Sequence, residues 1–256
     1  MEINNIIMKL SLKLMYQGTN YYGWESQIKN FSIKNIVENA ISKIANHPVI
    51  IFCAGRTDSG VHALSQIIHF KTKSFRKNYF WLKGINHFLP KDIVVLWVKK
   101  VSENFHARHS AISRSYRYII YNTNIQNPFL NNFSFKVNNI LDTKEMNYAA
   151  QYLLGEHNFS TFRASKCQSL SVFRKIYYIK VYKFNVYFIY IDITANAFLY
   201  KMVRNIIGSL LQIGLKKKKK HWILEILNMK NRIFAGPTVP AKGLYLFSVK
   251  YPKIYL

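Results

Sequence analysis

A short loop between two apolar segments carries the residues best suited to chemistry. The segment Ala54–His62 reads Ala-Gly-Arg-Thr-Asp-Ser-Gly-Val-His, so that Arg56 and Asp58 lie two residues apart between two glycines. Glycine allows unusual backbone conformations and lets a ligand approach the chain closely. The pattern therefore favours a carboxylate that is held at a sheet edge and exposed to a cleft. The alternative is a turn aspartate that bonds its own backbone.

The charge of the chain narrows the classes of partner. It holds 37 lysines and arginines against 11 acidic residues, a formal net charge of +26. Self-repulsion of this size favours a partner of opposite charge. Nucleic acid is the first candidate and an anionic membrane surface the second, while the lysine-rich composition of an AT-rich genome is an alternative source of part of the excess.

Composition and spacing exclude several classes of protein. Two cysteines, Cys53 and Cys167, do not build a disulfide scaffold. A zinc site needs three or four converging ligands, whereas Cys53, His62 and His69 are expected to be buried polar groups, so no metal is predicted. No apolar run approaches the ~20 residues of a membrane span, and the N-terminus lacks the basic region of a signal peptide. We expect a cytoplasmic protein with no membrane segment.

The elements that position the loop follow from hydrophobic periodicity. The first half alternates strongly over Ile7–Tyr16, which is typical of a half-buried strand, and Ser32 precedes an amphipathic helix. The order strand, helix, strand, strand, helix, strand is a ferredoxin-like pattern. The remaining elements predicted in this half are strands at Val49–Cys53, Ser65–Lys71 and Asp92–Lys100 and a helix over about 76–88.

The second half repeats the mixture of strands and helices, so the fold class is predicted to be α+β. We expect two ferredoxin-like or RRM-like halves, 1–102 and 103–256, whose mainly antiparallel sheets are joined, with helices packed on one face and a cleft between the halves. The seam lies near Glu103–Ala111, where neither periodicity holds. The elements predicted here are strands at Ser115–Tyr121, Arg174–Val181, Val186–Ile193 and Leu244–Tyr251 and helices at Thr143–Leu154, 198–214 and His221–Met229.

The loop sequence resembles the signature of the bacterial tRNA pseudouridine synthase A family. Eight further motifs match that family in the expected order, and the similarity as a whole runs from about residue 10 to residue 252. These motifs are Tyr21–Trp24, Phe105–Arg108, Arg114–Tyr118, Leu154–Phe159, Phe162–Arg163, Ala195–Leu199, Met202–Gly208 and Gly243–Leu246. Nine motifs in order are far more specific than any one of them.

The resemblance implies an isomerase that converts uridine to pseudouridine at positions 38, 39 and 40 of the tRNA anticodon stem-loop. The N1–C1′ bond breaks, the uracil turns, and the ring rejoins the sugar through C5. The resemblance also implies that no cofactor or metal takes part and that a homodimer binds the tRNA across both subunits. In the family's terms Asp58 is the catalytic aspartate, Arg204 is its ion-pair partner, and Tyr116 is the active-site tyrosine.

The residues agree with that chemistry. A glycosidic bond is broken, but the loop offers one carboxylate rather than the pair that a hydrolase uses. Asp58 must be ionised to act as nucleophile or base, and attack on C1′, attack on C6 and removal of the 2′ proton all remain open. Arg204 would stabilise the ionised carboxylate, with a surface arginine as the alternative. Tyr116 can stack on the extruded uracil and handle a proton, with ordinary strand packing as the alternative.

Other residues are predicted to bind the substrate. Arg56 would hold a phosphate or fill the gap left by the flipped base, and its alternative is a salt bridge that stabilises the loop. Leu244 and Leu246 would form an apolar floor under the base, or belong to the core. Three further arginines would contact phosphates of the RNA backbone: Arg108, Arg114 and Arg163. Such contacts supply affinity but do not read the base sequence.

The sequence departs from the family pattern at two places, and two other functions compete with the one that the resemblance implies. Ser59 stands where alanine is usual, and Glu25-Ser26 stands where a polar or basic pair is usual, so an acid is expected to weaken an RNA contact. A non-catalytic RNA-binding or ribosome-assembly protein would need exposed strand aromatics in a Lys/Arg-Gly-Phe/Tyr pattern, and no such run occurs. A DNA-binding regulator is disfavoured because no helix-turn-helix is evident.

Overall fold

The computed structural model describes residues 7–25 and 31–255. Within these ranges it contains ten strands and five α-helices, and the strand pairing is mainly antiparallel. The α+β class predicted from the sequence is therefore confirmed. Within the same ranges, no helix is both long enough and apolar enough to cross a lipid bilayer.

The strands and helices are named in chain order. The strands are β1 (Met8–Tyr16), β2 (Phe52–Cys53), β3 (His62–Thr72), β4 (Ile93–Lys100), β5 (Ser113–Asn122), β6 (Phe135–Val137), β7 (Gly155–Asn158), β8 (Phe173–Lys183), β9 (Phe188–Ala195) and β10 (Leu244–Lys250). The α-helices are α1 (Ile33–Ala45), α2 (Asn78–Phe88), α3 (Thr143–Gln151), α4 (Met202–Gly214) and α5 (Trp222–Met229).

The chain separates into two compact units. The first comprises the described residues up to Ile112 together with those from Leu246 onwards, and the second spans Ser113–Tyr245. The division predicted from the sequence is at 102/103, and residues 103–112 and the C-terminal segment lie in the first compact unit. The predicted domains, the joining of their sheets and the cleft between them stay predictions.

The first unit is built on the predicted succession β1-α1-β2-β3-α2-β4. Strand β1 is antiparallel to both neighbours, and its Leu12 lies opposite Ile68 of β3 and Val98 of β4. Helix α1 begins after Ser32, whose hydroxyl accepts the Asn35 N–H at 3.2 Å, a cap that contributes about 1 kcal/mol. The apolar stripe of α1 faces the core because its apolar residues recur every three to four positions.

A second apolar cluster explains why the C-terminal segment belongs to the first unit. Tyr251 packs with Phe105 and Ala107, and all three are buried. The Tyr251 hydroxyl donates to the Ala107 carbonyl at 2.6 Å. Residues 103–112, which have no helix or strand periodicity, are thus held by contacts to residues more than a hundred positions away.

The second unit is a sheet covered by helices. Strands β5, β9, β8 and β7 are antiparallel in that order, and β6 pairs in parallel with β5. On β9 the isoleucines Ile189, Ile191 and Ile193 alternate inward and are buried. Helix α4 is buried over most of its surface, as expected for a helix enclosed within the unit rather than lying on its surface.

The predicted elements correspond to observed ones, with differences at their ends. The helix predicted over 198–214 begins at Met202 because Lys201 is left-handed, with φ 57°. The strand predicted over Val49–Cys53 reduces to β2. Strands β6 and β7 are too short to show a period and were not predicted.

Candidate active site

The Asp58 loop connects β2 to β3 in the first unit. The Asp58 carbonyl accepts the Val61 N–H at 3.1 Å, and Gly60 between them has φ 77°, a conformation that favours glycine. Thr57 is buried, Asp58 is half-buried, and Arg56 is exposed. The tight turn therefore presents the carboxylate part-way out of the protein.

A second glycine loop packs against the back of the Asp58 loop. The Trp24 N–H donates to the Thr57 carbonyl at 3.0 Å. Gly23, with φ +88°, lies so close that an added Cβ would be 2.8 Å from the same carbonyl oxygen. The Ser59 hydroxyl donates to the Tyr21 carbonyl at 3.1 Å. The motif residues Tyr21–Trp24 thus hold the backbone of the Asp58 loop. Ser59 is tolerated because its hydroxyl has an acceptor.

Buried polar side chains fix the loop from inside. The Gln66 amide donates to the Gly55 carbonyl at 2.6 Å and accepts the Gly55 N–H at 3.4 Å. The hydroxyls of Tyr16 and Thr57 are hydrogen-bonded at 2.8 Å. Gln66 and Tyr16 lie on β3 and β1, so two core strands set the backbone on either side of Arg56. Sequence reasoning did not identify Gln66 or Tyr16, since neither belongs to the loop.

Arg56 forms an ion pair in the free protein. Its Nε lies 2.6 Å from Oε2 of Glu25, and Oε1 of the same carboxylate lies 3.1 Å from Nζ of Lys34. The salt bridge that was the alternative for Arg56 is thus observed, and its contact with a phosphate stays a prediction. Ser26, the other residue of the departure noted above, lies outside the described residues.

In the second unit, β5 carries Arg114, Tyr116 and Tyr118 on one face. All three are buried. The Arg114 Nη1 donates to the Asn196 carbonyl at 2.9 Å. The Tyr116 ring lies perpendicular to Phe198, with centroids 5.2 Å apart. These contacts fix the plane of the Tyr116 ring and give Arg114 a structural contact inside the unit.

Arg204 lies in the first turn of α4. Its Nε donates to the Val239 carbonyl at 2.8 Å. The neighbouring Pro240 carbonyl accepts the Tyr118 hydroxyl at 2.9 Å. Burial raises the pKa of Tyr118, and the positive charge of Arg204 opposes that rise. Tyr118 therefore stays protonated and is a donor near neutral pH, and the Val239–Pro240 backbone orients the guanidinium.

That backbone is itself held against α4. An added Cβ on Gly208 would lie 1.7 Å from the Pro237 carbonyl oxygen. The Thr238 hydroxyl donates to Asn205 Oδ1 at 2.5 Å, and Asn205 Nδ2 donates to the Phe162 carbonyl at 2.8 Å. Asn205 and Gly208 were part of a matched motif, but only these contacts show that they support the segment that orients Arg204.

The remaining predicted site residues are distributed between the units. Leu246 is fully buried in the first unit and Leu244 is buried in the second. Arg108 is exposed in the first unit, and Arg163 is half-buried after the 3₁₀ turn Ser160–Phe162 in the second. The first unit thus holds Asp58 with Arg56, and the second holds Tyr116 with Arg204. Their convergence on one site stays a prediction.

The histidines and cysteine considered for a metal have other surroundings. The Nδ1 of His69 accepts the Ala107 N–H at 3.1 Å, and burial lowers the pKa of His69 to about 4. Burial raises the pKa of the Cys53 thiol to about 12, which disfavours the thiolate that binds metals. Within the part of the chain that the structure describes, no three His, Cys, Asp or Glu side chains are grouped so as to hold a metal ion.

Comparison with known proteins identifies the family. The sequence model of the tRNA pseudouridine synthase family matches residues 14–110 and 149–252. The chain belongs to the tRNA pseudouridine synthase family. The Asp58 loop and the Arg204 helix both lie inside the matched residues, and the resemblance seen in the sequence is confirmed.

Relatives named tRNA pseudouridine synthase A match this synthase over almost its whole length. The protein from Buchnera aphidicola of Schizaphis graminum is 53% identical over 96% of this chain and 93% of its own. The Blochmanniella pennsylvanica protein is 50% identical over 96% and 94%. The Klebsiella pneumoniae protein is 45% identical over 97% and 92%. This synthase is accordingly an isomerase that converts uridine to pseudouridine in tRNA.

Proposed function

We propose that this synthase modifies uridines 38, 39 and 40 of the tRNA anticodon stem-loop, with Asp58 as the catalytic carboxylate. The observation that carries the proposal is the setting of Asp58. This residue is half-buried on a loop whose backbone is held by hydrogen bonds from the Gln66 side chain and the Trp24 N–H. A reacting group gains most when its geometry is set before the substrate arrives. The loop itself carries one carboxylate, which suits a reaction in which water must not capture the intermediate.

The reaction balances without any added reagent. The N1–C1′ bond breaks and the C5–C1′ bond forms, C5 loses its proton, and N1 gains one. Asp58 would act on C1′, on C6 of the uracil, or on the 2′ proton, and all three routes release one C5 proton for each product formed. No cofactor or metal enters the proposal because no step requires one.

Arg204 is proposed to pair with Asp58. A guanidinium binds a carboxylate through a charge-assisted hydrogen bond with a defined geometry. Val239 holds the Arg204 Nε at 2.8 Å, which fixes the plane of the guanidinium. The pair would hold the Asp58 carboxylate in one orientation toward the substrate.

Tyr116 is proposed to stack on the extruded uracil. Its ring orientation is set by Phe198, which packs against it edge to face, so the aromatic face would not need to reorganise when the base arrives. Leu244 and Leu246, both buried, would support the base from below. In this scheme the second unit supplies Tyr116, Leu244 and the cation, and the first unit supplies the carboxylate and Leu246.

The partner is proposed to be tRNA bound by a cytoplasmic homodimer. The net charge of +26 would attract the RNA over long range and supply affinity through phosphate contacts. The arginines that would make these contacts are Arg56, Arg108, Arg114 and Arg163. Of the three arginines outside the Asp58 loop, Arg108 is the exposed one. Arg114 already donates to the Asn196 carbonyl, so it would contact a phosphate through its remaining N–H groups.

The test is release of tritium from tRNA labelled at uracil C5. Asp58→Asn removes the charge at constant size, and we expect release to fall about 1,000-fold or more while tRNA binding persists. Asp142→Asn is the matched control, because Asp142 caps α3 and asparagine caps equally well. Equal release from wild type and Asp58→Asn refutes Asp58 as the catalyst. Binding without release by the wild type itself favours the non-catalytic RNA-binding alternative.

A further inference from the structure

We propose that Arg56 and Lys34 form a phosphate-binding site for the RNA, and that the Glu25 carboxylate occupies it in the free protein. The inference rests on the proposed function, because it assumes that RNA binds beside Asp58. Glu25 would then be an internal competitor that the RNA backbone displaces on binding.

The geometry is that of an occupied anion site. Two cations from separate elements converge on one carboxylate, Arg56 from the Asp58 loop at 2.6 Å and Lys34 from the first turn of α1 at 3.1 Å. Each cation binds a different carboxylate oxygen. A phosphodiester also presents two anionic oxygens, and guanidinium groups bind carboxylates and phosphates in the same manner. Lys34 also lies 4.0 Å from the Glu38 carboxylate, which would stay beside it. A phosphate that replaces Glu25 would therefore meet both cations in place, with Arg56 as the one not shared with Glu38.

The exposure of the three side chains makes the carboxylate exchangeable. The side chains of Arg56, Glu25 and Lys34 are 57%, 38% and 21% exposed. Ion pairs in contact with solvent contribute little to stability, so an incoming phosphate displaces the carboxylate at small cost. Arg56 lies two residues from Asp58 on one loop, so a phosphate bound there belongs to a nucleotide beside the one that reacts.

Displacement of a carboxylate has a signature in the salt dependence of binding. A phosphate that binds free cations releases the counterions condensed on the RNA, and each such contact steepens the plot of log K against log salt by about 0.7 to 0.9. When the phosphate instead replaces Glu25, the displaced Glu25 carboxylate attracts cations from the solution. This uptake of cations offsets part of the counterion release from the RNA. The wild type therefore has a shallower slope than a variant that lacks the Glu25 charge.

The experiment compares wild type and Glu25→Gln in the full chain, with tRNA affinity measured over a series of salt concentrations. We expect Glu25→Gln to bind about two- to fivefold more tightly at low salt and to have a slope steeper by about 0.7. Glu103→Gln is the matched control. It removes the same charge from a similarly exposed pair, with Lys71 at 3.1 Å, and we expect it to leave the slope unchanged.

Two further variants distinguish a phosphate-binding role of Arg56 and Lys34 from a purely structural role in holding the Asp58 loop. In an Arg56→Gln background, Glu25→Gln is expected to lose most of its effect, and Lys34→Gln alone is expected to weaken binding and flatten the slope. Weaker binding by Glu25→Gln, or an unchanged slope, overturns the proposal, as does an equal effect in the Arg56→Gln background. A wild-type protein that neither binds tRNA nor releases tritium refutes the proposed function instead.

Discussion

The orientation of Arg204 is expected to depend on Gly208, which lies one turn further along α4. Gly208→Ala places a Cβ 1.7 Å from the Pro237 carbonyl oxygen and 2.9 Å from the carbonyl carbon. Ordinary contact needs about 3.4 Å, and both atoms are backbone, so the 237–239 segment must move by well over 1 Å. Val239, two residues along, then carries its carbonyl away from the Arg204 Nε that it now holds at 2.8 Å.

The size of the effect follows from that shift. Forcing an extra methyl into a packed interior costs about 1 to 3 kcal/mol, partly offset by about 1 kcal/mol from the better helix propensity of alanine. Misplacing a catalytic group by 1 Å lowers the rate by up to about 100-fold. We therefore expect Gly208→Ala to lose only modest stability but to reduce kcat for tritium release by about 10- to 100-fold with little change in KM.

The assay pairs steady-state tritium release with thermal unfolding. Gly214→Ala is the control, because Gly214 lies on the same helix and its added Cβ meets side-chain atoms of Met146 and Leu141, at 2.4 Å and 3.2 Å, rather than the backbone that holds Arg204. The control is expected to keep wild-type kcat. If folded Gly208→Ala retains kcat within about threefold of wild type, the Val239 backbone does not set the Arg204 geometry, and the reasoning from contact to catalysis fails.

Two further predictions concern Arg204 and the buried His69. Arg204→Gln is expected to lower kcat on the order of 100-fold with Arg204→Lys partly active, and full activity of the glutamine variant in the tritium assay would rule out the ion pair. The pKa of His69 is lowered to about 4 by burial first and then by the charges of His106 and Lys9, so the unfolded chain binds a proton before the folded one as the pH falls. Stability is therefore expected to decrease between about pH 6.5 and pH 4 and to level off below that. His69→Asn, which keeps an acceptor for the Ala107 N–H, is expected to show a smaller decrease in urea unfolding across that range, and an unchanged pH profile would contradict the assignment.

Much of the fold could be predicted because its signals are local. Alternation over Ile7–Tyr16 and the 3.6-residue spacing behind Ser32 depend on neighbouring residues, and both gave the observed β1 and α1 closely. The start of α4 after Lys201 was missed, because a left-handed residue that is not glycine leaves no pattern in the sequence. The attachment of Tyr251 to Ala107 was missed because no period relates residues so far apart.

The candidate site shows the same division. The sequence by itself determined the family, the α+β class and the loop that presents Asp58, because nine motifs in order record residue types without needing their contacts. Only the tertiary structure decided that Arg56 pairs with Glu25. It also decided that Gly208 lets the segment from Pro237 to Val239, which holds the Arg204 Nε, approach α4 closely. The reason is physical: residue types and short periods are written along the chain, whereas ion pairs and close approaches form when segments distant in sequence pack together.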